Sequence, residues 1–443
     1  MNWGVLIVLA GFLLHLNIIG YLYSYNLLHI QLKESFNSTA TEAALPGSVS
    51  IAFYAVSSLI VTWIFQRFGD RPAGFLGITL CCVGLLTSSF VQEIWMLCLT
   101  YGVLYGFGCN AIHLVTIDMI VKYYKGIKST RCIGITMTAS SIGVLFSPCL
   151  EWLYTTFQWR ISLRILSGVF AIVCIPCMSL FKEKKDNGTP RNIVTQKQEN
   201  KTRRNMSLFQ KYIEMVRIPA FLCLVCSYAM SGIATTFSFV SIGSFLTESG
   251  LSGTQTSLIL STMGAGDLVA RVSVSLLSQW LPISITSLYA IGHIVSASSM
   301  LSLPYAINAT VIMVILIVFS VSRGIIFVLI ASAPIEIAPV HSSVESVGLV
   351  YLVFGMCALS APYITDNVYD IKGSYNSAFF ICCALYACSS FFLFAAVHLN
   401  KKNMIRRNSN ENTDCQYNQM IVNRSEEEPT EYSKEVISRV TVI

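Results

Sequence analysis

Twelve apolar stretches fill most of this chain, at about 3–28, 46–66, 73–91, 94–121, 131–155, 161–181, 218–246, 256–280, 283–303, 309–338, 344–365 and 374–398. A helix needs about 20 apolar residues, at 1.5 Å each, to cross a hydrocarbon layer. In lipid each backbone polar group must be satisfied within the protein, which leaves helices and closed barrels. Runs of this length, without strand-like alternation, read as membrane helices. Composition agrees: 12% of residues are charged and 54% hydrophobic, against about 25% charged in soluble domains. A soluble domain is excluded. The first stretch is too long for the apolar core of a cleaved signal and reads as a membrane span. The 15 cysteines lie mostly within apolar runs, without metal-ligand spacing or a secreted disulfide framework, and read as small packing residues.

Six stretches precede Lys182–Arg217 and six follow it. This segment holds ten Lys/Arg and four Asp/Glu with no apolar period, and reads as a flexible linker. The expected organisation is therefore a six-helix half over 1–181, a cytoplasmic linker over 182–217, a second half over 218–398 and a disordered cytoplasmic tail over 399–443. Basic residues set the orientation. Arg67 and Arg71, then Lys122, Lys125, Lys128 and Arg131, the linker and the start of the tail alternate with loops poorer in Lys and Arg. Both termini are expected to be cytoplasmic and the bilayer to be the plasma membrane. Asn37, in Asn37-Ser38-Thr39, then lies outside as a glycan acceptor. The all-α pattern of twelve transmembrane helices in two six-helix halves points to a transporter of the major facilitator kind, with its site near the midplane between the halves. No HExxH, GxSxG or clustered His/Asp suggests an enzyme. No filter-like loop suggests a channel. No cofactor, metal or nucleic-acid partner is expected.

The eighth stretch, LILSTMGAGDLVARVSVSLLSQW over Leu258–Trp280, carries Asp267 and Arg271 near its middle. Each is costly there, roughly 2.5–3.5 kcal/mol at a helix centre. Their spacing of four places them on one helix face, where they can pair. Such residues face a bundle interior or a water-filled path, and mark function by default.

Several motifs, in order, resemble the monocarboxylate transporter family of the major facilitator superfamily. Arg67-Phe68-Gly69-Asp70-Arg71-Pro72 resembles the family's RFGxRP loop. Tyr123-Tyr124-Lys125, followed by Ser129 to Gly143, is a partial match to the signature leading into the fifth helix. Gln158-Trp159-Arg160 resembles GWR at the sixth. Ala361-Pro362 with Tyr369-Asp370-Ile371-Lys372-Gly373-Ser374-Tyr375 resembles the run between the last two helices. Asp267-Leu268-Val269-Ala270-Arg271 resembles the D-x-x-x-R of the eighth. The resemblance implies that Arg271 holds a substrate carboxylate and that Asp267 pairs with it and handles a proton. A guanidinium fork matches a carboxylate bidentately. It also implies a small organic carboxylate as substrate, proton symport in some members, and in some an immunoglobulin-type ancillary glycoprotein. One departure is important. Tyr23, in Tyr21-Leu22-Tyr23-Ser24, stands where carboxylate carriers have a lysine. A tyrosine is neutral at pH 7 and attracts no anion by charge.

Arg323, within the tenth stretch, is either a second cation on the path or the partner of a buried acid. Asp118 is read as a local partner of Lys122 at i+4. His15 is read as a hydrogen-bonded interhelical histidine before a pH sensor. Tyr21, Tyr23 and Tyr25 either line an aromatic-accepting cavity or sit in an interfacial belt. Gly102, Gly106, Gly108, Gly264 and Gly266 are read as close-packing or hinge sites.

Together these readings give a transporter of monocarboxylates or related carboxylate-bearing solutes working by alternating access. Its expected site residues are Arg271, Asp267, Tyr23 and Arg323. The alternatives are a proton-independent carrier of aromatic amino acids or similar larger substrates, and a non-transporting receptor-like member.

Overall fold

A computed structural model describes residues 3–23, 25–38, 40–144, 147–182, 208–278, 280, 282–338, 343–372 and 376–427. Among these, all regular structure is helical. The chain runs through α1 (Trp3–Tyr23), α2 (Tyr25–Phe36), α3 (Ala40–Val56), α4 (Ser58–Phe68), α5 (Asp70–Ser88) and α6 (Ile94–Leu97). A π-helical stretch (Cys98–Tyr105) leads into α7 (Gly106–Tyr123), α8 (Ile127–Val144) and α9 (Ser147–Ser179). Then come α10 (Leu208–Val216), α11 (Pro219–Glu248), α12 (Gly253–Leu277), α13 (Ile285–Ser302), α14 (Ala309–Leu329), α15 (Ser332–Ile337), α16 (Ser343–Lys372) and α17 (Asn376–Glu427).

Among the described residues, eight helices are long and apolar enough to cross a membrane, and α3 with α4 counts as one more crossing, bent by 49°. The three other expected crossings fall on α8 with the first part of α9, on α13, and on α16. They carry more Ser, Thr and Gly, as small interhelical contacts in membranes do. The expected break between the fifth and sixth crossings falls inside α9, at Gln158 with φ 60° and ψ 154°. That conformation belongs essentially to glycine. Gln158 stands where the GWR motif has its glycine.

α12 shows how lipid and interior divide a helix. Val269 is 62% exposed, while Asp267 and Arg271 are 4% and 3% exposed. Leu258, Leu260, Val272 and Leu276 are also exposed. With no water in the core, apolar side chains can cover the outside only if polar ones turn inward. α12 packs along α14, α1 along α8, and α11 along α16. The first six crossings meet the last six where α12 lies on α8 and where α16 lies on α3 and α4.

One end of the bundle gathers the start of α1, the end of α7 and the start of the linker. Trp3 Nε1 donates to Leu180 O (3.2 Å) and Tyr123 Oη to Lys182 O (2.8 Å). The RFGDRP loop is at this end. Gly69 turns it at φ 91°, and Asp70 starts α5, buried and paired with Lys122. Lys122 also pairs with Asp118 at 2.7 Å, the expected i+4 contact. Arg71 donates to the carbonyls of Ser179 and Phe181.

The same end is closed between the halves. Glu345 on α16 accepts from Gln66 Nε2 on α4 and pairs with Lys211 Nζ on α10 at 3.1 Å. Further along α16, a Cβ on Gly355 would lie 1.9 Å from Ala55 Cβ, so glycine is what lets the two halves touch here. We expect Lys211→Ala or Glu345→Gln to loosen this closure. Breaking an exposed ion pair costs about 0–1 kcal/mol and breaking a buried one about 3–5. Lys211 and Glu345 are largely buried, with side chains 15% and 10% exposed. A cysteine introduced at Thr62 should then react faster with a maleimide than in the otherwise unaltered chain. An unchanged rate would mean the pair does not hold the gate.

Two stretches differ from expectation. Leu208–Val216, read as flexible linker, is helical, with Met215 buried and Lys211 engaged. The contact to α16 lies outside the reach of local sequence pattern. The stretch read as a disordered tail continues α17 to Glu427. A polar sequence does not start a helix, but it can extend one already nucleated, because propagation costs far less than nucleation. The rest of the linker, 183–207, lies outside the described residues.

Candidate substrate site at the seam between the halves

Asp267 and Arg271 pair as their spacing requires. Arg271 Nε lies 2.8 Å from Asp267 Oδ2. The Nε–H is not aligned on the oxygen, so the contact is an ion pair rather than a directed hydrogen bond. Arg323, on α14, places its Nε 3.3 Å from Asp267 Oδ1. Of the two readings of Arg323, the structure shows the partner of a buried acid. Two guanidiniums thus share one carboxylate. α12 and α14 come together closely enough for this because Gly324 faces α12. A Cβ there would sit 2.7 Å from the Asp267 carbonyl oxygen.

The other side of the site comes from α8 in the first half. Ser141 Oγ donates to Asp267 Oδ2 at 3.0 Å. Arg271 Nη1 donates to Ser140 Oγ at 2.6 Å and to Met137 O at 3.4 Å. Phe327 stacks on the guanidinium, 4.9 Å from Cζ to ring centroid. Among the described residues Arg271 Nη2 has no hydrogen-bond acceptor. The guanidinium is fixed on one edge and open on another, which is what a second, incoming carboxylate requires.

The structure therefore brings Asp267, Arg271 and Arg323 together. Tyr23 ends α1 and its side chain lies outside the description, as do the side chains of the Ala361–Tyr375 motif. Its neighbour Tyr25 is buried, donates to Ala43 O at 2.7 Å and stacks near Tyr101 at 5.3 Å. Tyr25 is a packing residue of the bundle, not of an interfacial belt. Ser140 and Ser141 lie within the Ser129 to Gly143 match, which gives them no polar role. Two adjacent hydroxyls in an apolar run are the one signal that could have assigned them a polar role. Glu336, too, acts at a distance: it accepts from Thr286 N and Oγ1, capping the start of α13.

A twelve-crossing bundle with an ionic cluster at the seam of its halves defines a class of membrane carrier, and the comparisons agree. The family model described as Major Facilitator Superfamily matches residues 7–362, and the chain belongs to that superfamily. Among curated relatives, it is 21% identical to monocarboxylate transporter 2 of Homo sapiens, over 93% of this chain and 89% of the relative. It is 24% identical to monocarboxylate transporter 12 of Homo sapiens, over 92% and 81%, and 22% identical to monocarboxylate transporter 11 of Mus musculus, over 88% and 86%. Among solved structures, the E. coli fucose:proton symporter superposes with a TM-score of 0.71 at 12% identity, covering 89% of this chain and 99% of that one. The proton:xylose symporter XylE gives 0.68, covering 89% and 96%. The protein is thus a multi-pass membrane transporter of a small organic solute.

Proposed function

We propose that this chain carries small carboxylate-bearing organic solutes by alternating access, with Arg271 holding the carboxylate and Asp267 keeping Arg271 compensated when no substrate is bound. What supports it is geometric: the Arg271 guanidinium is gripped from both halves, by Asp267 on α12 and Ser140 on α8, and its Nη2 meets no acceptor among the described residues. A substrate oxygen placed there competes with Asp267 for the same cation. Relative movement of the halves then changes who holds it. Arg323, already on Asp267, takes up the carboxylate that Arg271 releases.

The test is uptake of labelled lactate and labelled tyrosine, at external pH 6 and 7.5, beside Arg271→Ala. Lactate uptake lost in the variant, at equal surface expression, is the expected result. Uptake by the variant equal to the parent would sink the assignment. A second reading, a proton-independent carrier of aromatic amino acids or similar larger substrates, is favoured by Tyr23 in place of a lysine. Tyrosine uptake indifferent to pH is its signature.

We further propose the plasma membrane as location and cytoplasmic termini, supported by the Lys/Arg asymmetry. The linker end of the bundle is then the cytoplasmic end. Asn37 is exposed, just past α2. It should carry a glycan, seen as an endoglycosidase-sensitive gel shift that Asn37→Gln abolishes. An unmodified Asn37 on cell-surface protein would count against this orientation. An immunoglobulin-type ancillary glycoprotein is proposed on the resemblance alone, and co-purification from expressing cells tests it.

A further inference from the structure

A second buried polar centre lies away from Asp267, in the first half. His15 on α1 and His113 on α7 are 0% and 1% exposed. His15 Nδ1 lies 3.0 Å from Gly11 O, and His15 Nε2 lies 2.9 Å from His113 Nδ1. These distances fix the protons. A carbonyl only accepts, so His15 Nδ1 carries hydrogen. Neutral His15 then offers a lone pair at Nε2, and His113 Nδ1 must donate to it. The chain of bonds ends at His113 Nε2, a buried lone pair with no partner among the described residues. Leaving a buried acceptor unmade costs about 1–3 kcal/mol. Where native proteins keep one, a functional role is a standard explanation.

The surroundings connect this nitrogen to the seam. Tyr54 of α3 lies 5.4 Å from the His113 ring, and Tyr351 of α16 lies 5.1 Å from it. Tyr351 belongs to the opposite half. Of the other elements packed on α7, α4 and the bend before it offer the hydroxyls of Ser58 and Ser57 to Asn110. α5 meets α7 at Gly77 and Cys81. Thr136 of α8 lies with Thr116 of α7 against Gly11. Among the described residues no carboxylate or cation pairs with either imidazole. The nearest ionic group along α7 is Asp118, already bound to Lys122.

We propose that His113, oriented by His15, is the site at which this carrier takes up and releases a proton during its cycle. The proposal rests on the carboxylate-carrier reading for what travels with the proton. The proton comes from hydronium reaching the seam: its O–H bond breaks as the Nε2 lone pair forms the new N–H bond, and a water molecule is left. No protein bond breaks. The imidazolium keeps its Nδ1–H donated to His15, and its new Nε2–H lies beside the tilted rings of Tyr54 and Tyr351. Release reverses the step. In the state described here, the nitrogen is buried and the Tyr351 ring of α16 packs beside the His113 ring. Parting of α16 from α3 uncovers it, so proton access follows the same rocking that exposes the substrate. Asp267 is the less available acceptor, since Arg271, Arg323 and Ser141 already occupy its oxygens.

The first test needs no substrate. Nitrogen-15 histidine NMR of the full chain in lipid nanodiscs should show one imidazole passing from the neutral Nδ1–H form to imidazolium as the pH is lowered from 8 to 4. That signal should vanish in His113→Gln and move its midpoint in His15→Gln. A His113 ring that stays neutral throughout overturns the proposal. The second test uses liposomes and L-lactate. One proton per anion permits accumulation of up to about tenfold per unit of pH difference, the equivalent of 1.4 kcal/mol. The parent should accumulate lactate down an inward proton gradient. His113→Gln should lose that accumulation, while lactate exchange at equal pH falls far less. Gradient-driven accumulation equal to the parent in His113→Gln overturns the proposal. If the parent moves no lactate at all, it is the carboxylate-carrier reading that fails, and the NMR result alone decides the proton site.

Discussion

Asp267→Asn is expected to give a poorly stable, inactive protein, and a second change, Arg271→Gln, to restore the fold but not the transport. Asp267 is the carboxylate for both Arg271, at 2.8 Å, and Arg323, at 3.3 Å. Removing its charge leaves the buried Arg271 and the partly buried Arg323 guanidiniums facing a neutral amide. Breaking a buried pair from one side costs about 3–5 kcal/mol, because the remaining charge is stranded. Removing both partners leaves groups that still hydrogen-bond with Ser140 and Ser141 and strands less charge, so much of the loss should return. Thermal unfolding in detergent, read as the order parent, then double variant, then Asp267→Asn, checks the fold. Uptake checks function. If the double variant is no more stable than Asp267→Asn, Arg323 is the cation that dominates the energetics. If the double variant transports, the pair is structural and the substrate binds elsewhere.

Arg271→Lys is expected to keep the charge and lose the substrate. An ammonium is a point charge without a planar fork. It cannot at once hold Asp267, reach Ser140 Oγ as Nη1 does at 2.6 Å, and present a second edge to a carboxylate. Losing one charge-assisted hydrogen bond costs about 1.5–3 kcal/mol, or roughly 10- to 100-fold in affinity at 1.4 kcal/mol per decade. The loss should appear as a raised half-saturation concentration, with surface expression near the parent because Asp267 keeps a cation. Competition by lactate against its own labelled uptake measures it. An unchanged half-saturation would mean that Arg271 serves only its ion pair.

Much of this protein is legible in its sequence, because two local rules apply with little competition. Hydrocarbon forces the apolar stretches to be helices, and the helical repeat forces residues four apart to meet. Those rules yielded the crossings, the Asp267–Arg271 pair, the Asp118–Lys122 pair and the break near Gln158. The receptor-like alternative gains nothing from the seam, where the ionic cluster is shared by both halves. Local pattern was a weaker guide for Leu208–Val216 and for the stretch after 398. There helix is set by packing against α16 or inherited from the preceding membrane segment.

What the sequence by itself determined is therefore which residues lie in the membrane and which neighbours share a helix face. Only the tertiary structure decided which faces meet. It set Arg323 on Asp267 from 56 residues away, Ser141 on Asp267 from 126, and His15 on His113 from 98. It closed α16 onto α3 at a glycine. The helical repeat carries no information on these contacts, because they depend on how whole helices rotate and cross. In lipid that choice is made by close packing and by the few polar groups that must find partners away from the bilayer.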